Sequence, residues 1–164
     1  MDAAVGEGRM TDAALAPFAT KARTLSLAAC EAWARTLGAS LPLPLVVTLS
    51  GPLGAGKTTV ASAVLAGAGV TDPTEVGSPT FALVHEHRTA RGPAAHLDLY
   101  RLRGPDDVLG LGFDDILERH ALVLIEWADR AAGLLPTPHL AIMLDYDVAG
   151  GLDHRVVQVA VVGA

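Results

Sequence analysis

The segment that most constrains this fold is residues 51–58, Gly-Pro-Leu-Gly-Ala-Gly-Lys-Thr, which matches the pattern G-x-x-x-x-G-K-[ST] in full. A short apolar run at 45–49 precedes it, and an alanine-rich stretch through about Leu65, closed by Gly67 or Gly69, follows it. This order predicts a strand, a glycine loop and a helix. Because glycines let backbone N–H groups face an anion and the helix adds its positive end, the sequence predicts a nucleotide-binding domain.

Two positions in this loop have side chains suited to nucleotide chemistry. Lys57 is expected to reach the β and γ phosphates, and the Thr58 hydroxyl to bind Mg²⁺. The chain has 12 lysines and arginines, and only Lys21 and Lys57 are lysines. A chain that otherwise uses arginine therefore has a compact ammonium group at position 57. The loop residues expected to contact the nucleotide are Leu53, Gly54, Ala55, Gly56, Lys57, Thr58 and Thr59.

Charge and composition exclude several classes of protein. The chain has 18 acidic and 12 basic residues, a net charge of −6, whereas a protein that binds nucleic acid by itself usually has a basic surface. Residues 36–56 carry no charge, but three prolines and four glycines interrupt them, which argues against a membrane span. Cys30 is the only cysteine, and the first residues do not resemble a signal peptide, so we expect a cytoplasmic protein without an internal disulfide.

The pattern along the chain predicts one α/β domain. We expect a loosely ordered tail over residues 1–20 and a single P-loop NTPase domain over 21–164. Its central mixed sheet is predicted to be parallel near the loop, antiparallel at one side and flanked by helices. The predicted helices outside the loop region are 24–37 and 106–119, and the predicted later strands are 81–87, 95–100, 122–126, 140–146 and 155–162.

Two acidic residues lie where these strands end. Glu126 follows four apolar residues, as in a Walker B strand, and at the carboxyl end of a strand near the loop it would hold Mg²⁺ or orient water. Asp98 lies on a strand face with His96 and Tyr100, where it either binds Mg²⁺ or pairs with an arginine of a neighbouring strand. Trp127 either packs over the nucleotide or a partner protein, or fills the core.

Thr80, in the segment Ser78-Pro79-Thr80, offers a hydroxyl for the metal or the γ-phosphate, or belongs to an ordinary turn. His85 and His87 share a strand face, and packing is favoured over metal binding because a third ligand is lacking.

The lack of asparagine and a group of four arginines bear on which class of nucleotide-binding protein this is. The chain contains no asparagine, which excludes the Asn-Lys-x-Asp guanine-reading motif and a GTPase. A small-molecule kinase stays open, because Arg88, Arg91, Arg101 and Arg103 are available for a phosphate lid; the alternative for these residues is a solvated hairpin face. A nucleotide-gated binding module without turnover is the third possibility.

Three segments after the glycine loop carry a resemblance to a known family. They are Ser78-Pro79-Thr80-Phe81, residues 96–102 (His-Leu-Asp-Leu-Tyr-Arg-Leu), and Ile125-Glu126-Trp127 with Asp129 and Arg130. In this order they resemble the bacterial TsaE family, also known as YjeE, over about residues 24–160. One departure is Pro52, where family members often have an acidic residue, so any role of that carboxylate is absent here.

The resemblance implies a Mg²⁺-dependent ATPase of tRNA threonylcarbamoyladenosine biosynthesis. It implies binding to a complex of two proteins, TsaB and TsaD, with tRNA contacted only indirectly and with no membrane involved. It implies Lys57, Asp98, Glu126 and Thr80 as catalytic residues and Trp127 as a nucleotide contact. The metal ligands implied are Thr58, Asp98 and Glu126.

Overall fold

The computed structural model describes residues 10–71 and 82–163, which form a mixed seven-stranded sheet with helices on both faces. The strands are β1 Thr20–Ser26, β2 Leu45–Ser50, β3 Val84–Thr89, β4 Gly92–Asp98, β5 Leu122–Glu126, β6 His139–Tyr146 and β7 His154–Val162. The α-helices are α1 Asp12–Leu15, α2 Leu27–Ser40, α3 Lys57–Gly67, α4 Pro105–Leu109 and α5 Phe113–Arg119, and short 3₁₀ helices span Ala16–Phe18 and Ala128–Ala131.

The strand order is β1-β7-β6-β2-β5-β4-β3. Strand β2 pairs in parallel with β5 and β6, and β4 pairs in parallel with β5. The pairs β1–β7, β6–β7 and β3–β4 are antiparallel. The predicted mixed α/β fold is therefore confirmed, but antiparallel pairs lie at both edges of the sheet instead of at one.

Alternate residues of the central strands separate the core into two halves. Val47 and Leu124 belong to the cluster that α2 and α3 cover, whereas Val46 and Val123 belong to the cluster under α4 and α5. Successive side chains of a strand point to opposite faces, so strands buried on both faces are apolar throughout. Among the described residues no helix has the length and apolar character that crossing a membrane requires.

The N-terminal part of the fold differs most from expectation. Within the expected tail, residues 12–18 form α1 and a 3₁₀ helix, and the Leu15 side chain is fully buried. The predicted helix over 24–37 begins instead at Leu27, because Ser26 caps it and residues 20–26 pair with β7. Strand β1 lies at the sheet edge and is largely exposed, so its sequence lacks the alternation that would have predicted it.

The predicted helix over 106–119 is two helices. Gly110 ends α4, and Gly112, with φ of +74°, precedes α5. Because few residues other than glycine adopt this backbone conformation, Gly112 interrupts the helix although the apolar spacing continues. The predicted hairpin is formed by β3 and β4, whereas residue 81, its predicted start, lies outside the described residues.

Two glycines allow α2 and α3 to pack closely. A Cβ atom at Gly38 would overlap the Val64 carbonyl oxygen, and one at Gly67 would overlap the Arg35 carbonyl oxygen. We therefore expect Gly38→Ala to destabilise the fold by about 1–3 kcal/mol, since the backbones must separate. Chemical denaturation measures this loss. Gly104→Ala is the control, because its added Cβ meets nothing within 4 Å; an equal loss in both variants would contradict the close contact.

Candidate functional site

The glycine loop lies at the carboxyl edge of the four central parallel strands, β6, β2, β5 and β4. Strand β2 ends at Ser50, residues 51–56 form the loop, and α3 begins at Lys57. Gly56, with φ of +102°, is the N-cap of α3. The neighbouring strands β5 and β4 end at Glu126 and Asp98, which are paired in the parallel register. The fold therefore brings the loop, a helix N-terminus and two carboxylates to one edge of the sheet.

The Lys57 side chain is buried although it carries a charge, with 5% of the residue exposed. Its Nζ donates hydrogen bonds to the carbonyl oxygens of Gly51, at 2.9 Å, and Pro52, at 3.0 Å. The same Nζ lies 4.6 Å from the centre of the Trp127 ring. These partners are all neutral, so the ammonium retains an uncompensated charge that favours an anion beside it. Pro52 thus contributes its backbone carbonyl oxygen to the Lys57 ammonium.

Glu126 connects the helix to the sheet. Its Oε1 atom lies 2.9 Å from Thr58 Oγ1 and 2.8 Å from His96 Nε2, and its Oε2 atom lies 3.1 Å from Thr58 Oγ1. His96 is fully buried and Glu126 is 3% exposed. Because an ionised carboxylate only accepts hydrogen bonds, Thr58 and His96 both donate to it. The Glu126 carboxylate is therefore fixed beside the first turn of α3.

Asp98 ends β4 beside Glu126 and is only partly buried. Its Oδ1 atom accepts a hydrogen bond of 3.0 Å from the Tyr100 backbone N–H, and no ion pair with an arginine is found for it within the described ranges. His96, which shares its strand face, bonds to Glu126. The exposed side of Asp98 therefore remains available at the cavity beside the loop.

Trp127 has φ of 58° and ψ of 45°, a left-handed conformation that costs a residue with a side chain roughly 1–2 kcal/mol. Of the non-glycine residues that the structure describes, Trp127 alone has positive φ. This conformation places its ring under Lys57 and 4.9 Å from the Tyr100 ring. Trp127 also packs against the core under α4 and α5, as the core-filling alternative expected, whereas its contact with a nucleotide stays a prediction.

These groups line a cavity of about 390 Å³ beside the loop. Its lining residues are Leu53, Gly54, Gly56, Lys57, Thr58, Thr59, Asp98, Tyr100, Glu126 and Trp127. At one side of the cavity lie an ammonium and a helix N-terminus, which suit phosphate. The cavity also contains hydroxyl and carboxylate oxygens, the ligand atoms that Mg²⁺ prefers. Within residues 10–71 and 82–163, no group of three or more His, Cys, Asp or Glu side chains is placed to hold a metal, so an all-protein cage is not formed. A metal bound partly by phosphate oxygens fits this arrangement.

A second cavity, of about 240 Å³, shares Gly56 and Thr59 with the first. Leu27, Cys30, Val60 and Leu144 give it a largely apolar lining, to which the charged residues Glu31 and Arg155 are added. Burial raises the pKa of the Cys30 thiol, and the nearby guanidinium groups of Arg155 and Arg23 partly oppose that shift. The two cavities meet at the start of α3, and the second has the more apolar lining.

Several predicted residues do not lie in the described part of this site. Ser78, Pro79 and Thr80 lie outside the described residues, so the role expected of Thr80 stays a prediction. His85 and His87 pack edge to face, with ring centres 6.3 Å apart, on strand β3.

The structure places two of the candidate lid arginines elsewhere. Arg91 donates hydrogen bonds to the Gly38 and Leu41 carbonyl oxygens at the end of α2. Arg103 pairs with Asp107 on α4. Neither Arg88 nor Arg101 is among the residues that line the cavity beside the loop. The arginine cluster of the sequence is therefore not gathered over the site.

Comparison with known proteins identifies close relatives of this chain. The family model of the threonylcarbamoyl adenosine biosynthesis protein TsaE matches residues 24–154. The tRNA threonylcarbamoyladenosine biosynthesis protein TsaE of Nostoc is 38% identical to this chain over 118 residues, which are 70% of each chain. The protein of the same name from Haemophilus influenzae is 38% identical over 102 residues, which are 62% of this chain and 63% of the relative. The crystal structure of Bacillus subtilis YdiB superposes with a TM-score of 0.65 at 28% identity, over 87% of both chains.

Proposed function

This chain belongs to the TsaE family of threonylcarbamoyladenosine biosynthesis proteins, and we propose that it is a Mg²⁺-dependent ATPase that supports formation of this modified nucleoside in tRNA. In this proposal it acts in the cytoplasm and binds a complex of TsaB and TsaD. Its ATP hydrolysis resets that complex between rounds of transfer. The net charge of −6 supports an indirect role toward tRNA, since a direct tRNA contact would require a basic surface.

One observation carries the proposed ATPase activity, namely the arrangement of Lys57, Thr58 and Glu126. The ammonium is buried among neutral partners at the N-terminus of α3, and the carboxylate lies 2.9 Å from the Thr58 hydroxyl. Lys57 would neutralise charge on the β and γ phosphates, while the loop N–H groups bind their oxygens. Glu126 would accept a hydrogen bond from the attacking water and orient it.

The proposed metal ligands are Thr58, Asp98 and Glu126. These side chains would hold magnesium, which would supply positive charge against the phosphates. The Thr58 hydroxyl can keep donating to the Glu126 carboxylate while an oxygen lone pair is free for the metal, and the His96 hydrogen bond keeps Glu126 in position. Thr80 remains the proposed sensor of the γ-phosphate.

We assign the second cavity to the adenine base. The Thr59 and Gly56 positions lie between the two cavities, where an α-phosphate joins the terminal phosphates to the ribose. The apolar lining contributed by Leu27, Val60 and Leu144 suits a planar base.

This assignment predicts that ADP protects Cys30 from alkylation. At an ADP concentration ten times its dissociation constant, the alkylation rate is expected to fall roughly tenfold, because only the free protein reacts. Mass spectrometry of iodoacetamide-treated protein measures it cleanly, since Cys30 is the only cysteine. Because burial raises the thiol pKa, the reaction without ADP should accelerate toward alkaline pH. An alkylation rate that saturating ADP leaves unchanged would contradict the base assignment.

Association with partners tests the proposed biological role. The full chain is expected to co-purify with TsaB and TsaD of the same organism and to form the complex in a nucleotide-dependent manner. Lys57→Ala should alter that dependence, because it removes the phosphate contact, whereas Lys21→Ala on the exposed edge strand should not. If the three proteins do not associate with or without nucleotide, the proposed role is wrong.

A further inference from the structure

Two side chains of the β6–β7 hairpin contact the outer side of the glycine loop. The Tyr146 hydroxyl donates a hydrogen bond of 2.7 Å to the Leu53 carbonyl oxygen. Arg155 Nε donates a hydrogen bond of 3.0 Å to the Ala55 carbonyl oxygen. Tyr146 and Arg155 are directly paired across the two strands, and the guanidinium carbon lies 4.8 Å from the centre of the tyrosine ring. The hairpin thus binds the loop at two alternate carbonyl groups.

Arg155 is itself firmly held. Only 8% of the residue is exposed, and its NH1 group donates hydrogen bonds to the carbonyl oxygens of Leu152, at 2.8 Å, and His154, at 2.7 Å. A guanidinium fixed by its own hairpin and stacked on Tyr146 is a rigid donor toward Ala55. The contact to the loop therefore depends on a preformed unit and not on a mobile side chain.

These contacts determine which way two loop N–H groups point. In a trans peptide the C=O and the following N–H point in opposite directions. Fixing the Leu53 carbonyl toward Tyr146 therefore turns the Gly54 N–H away from the hairpin, and fixing the Ala55 carbonyl toward Arg155 does the same for the Gly56 N–H. Gly54 and Gly56 both line the cavity beside the loop. Because glycine has little conformational preference of its own, the loop requires such contacts to hold one shape.

We propose that Tyr146 and Arg155 are positioning residues that hold the glycine loop in its phosphate-binding conformation before the nucleotide arrives. The inference rests on the loop binding phosphate, as proposed above. Without the pair, the loop would have to be ordered by the ligand, and part of the binding free energy would be spent on that ordering.

Tyr146→Phe tests the inference with little disturbance, because the ring is retained and the residue is 40% exposed. We expect the dissociation constants of ADP and of inorganic pyrophosphate to rise together by roughly two- to tenfold, the effect of one lost hydrogen bond. In the nucleotide-free variant, amide hydrogen exchange should be faster at Gly54 and Gly56, while the thermal midpoint stays close to that of the unmodified protein. Arg155→Lys, which keeps the charge but loses the Nε donor, should also raise the dissociation constant of pyrophosphate; pyrophosphate alone is used for this variant because Arg155 also lines the second cavity.

Val148→Ala is the matched control, since this residue lies in the same hairpin, is 98% exposed, and should leave both constants and the exchange rates unchanged. Equal affinities for the unmodified protein and Tyr146→Phe would overturn the inference. It would also be overturned by a loss that affects ADP but not pyrophosphate, since the hydroxyl would then act on the base or ribose. Failure of the unmodified protein to bind either ligand would instead contradict the proposed function.

Discussion

Lys57→Ala is expected to lower the rate of ATP hydrolysis by roughly 10²–10³-fold, the loss typical of removing one donor that stabilises charge in a transition state. The ammonium is the one cation among the residues that line the described cavity, and its present partners are two carbonyl oxygens and the Trp127 ring. Alanine at this position leaves the loop N–H groups and the Glu126 carboxylate in place. The measurement is phosphate release under saturating ATP and Mg²⁺.

Lys21→Ala is the matched control for that prediction. Lys21 is the other lysine of the chain and is exposed on the edge strand β1. It should hydrolyse ATP at the unmodified rate. Hydrolysis retained in Lys57→Ala, with a folded protein by circular dichroism, would show that the glycine loop is not the site of the reaction.

Glu126→Gln is expected to reduce the turnover number by roughly 10²–10⁴-fold, the contribution of a positioned general base, while binding of ATP without Mg²⁺ changes little. The amide has the size of the carboxylate, and its oxygen can still accept the His96 hydrogen bond, which spans 2.8 Å in the unmodified protein. It carries no negative charge for a metal and accepts no proton from water. Single-turnover hydrolysis, together with a direct binding measurement, separates the two effects.

Glu118→Gln provides the corresponding control, since Glu118 is an exposed residue of α5. Both its hydrolysis and its binding should match those of the unmodified protein. If Glu126→Gln retained full turnover, the carboxylate would have only a structural role between α3 and the sheet. If it lost turnover and the binding of ATP without Mg²⁺ in parallel, Glu126 would act in nucleotide binding and not in the chemical step.

The sequence predicted those parts of the site in which the functional residue and its strand or helix lie in one short segment. The glycine loop lies between a strand and a helix because residues 45–67 carry both patterns next to each other. Glu126 and Asp98 lie at strand ends, and the parallel pairing of β4 with β5 then places them side by side. In these cases the chemistry and the structural element share one short segment, so neighbouring residues were sufficient to predict them.

The contacts that the sequence did not predict connect distant segments. The hydrogen bond from Tyr146 to Leu53 spans 93 residues, and the one from Arg155 to Ala55 spans 100. His96 was expected beside Asp98 from its strand face, yet it bonds to Glu126 on the neighbouring strand. Such partners depend on strand order and register, which the periodicity of a single segment does not determine.

The edge strand β1 and helix α1 were missed for a related reason. Both lie at the margin of the sheet, where a single buried residue such as Leu15 anchors the segment and most neighbours are polar or small. The order of β1 comes from pairing with β7, and α1 is held by the burial of Leu15 in the core, not by any periodicity of their own. The composition of residues 10–23 therefore gave no indication of regular structure.

The central claim is that this chain hydrolyses ATP and that this hydrolysis resets its proposed partner complex, TsaB–TsaD. Steady-state phosphate release measured with and without the TsaB–TsaD pair tests the claim most directly. The full chain with Mg²⁺ should release phosphate slowly by itself and faster when the pair is added, and Lys57→Ala should abolish both rates. Phosphate release that stays at the enzyme-free background with and without the pair would contradict the claim.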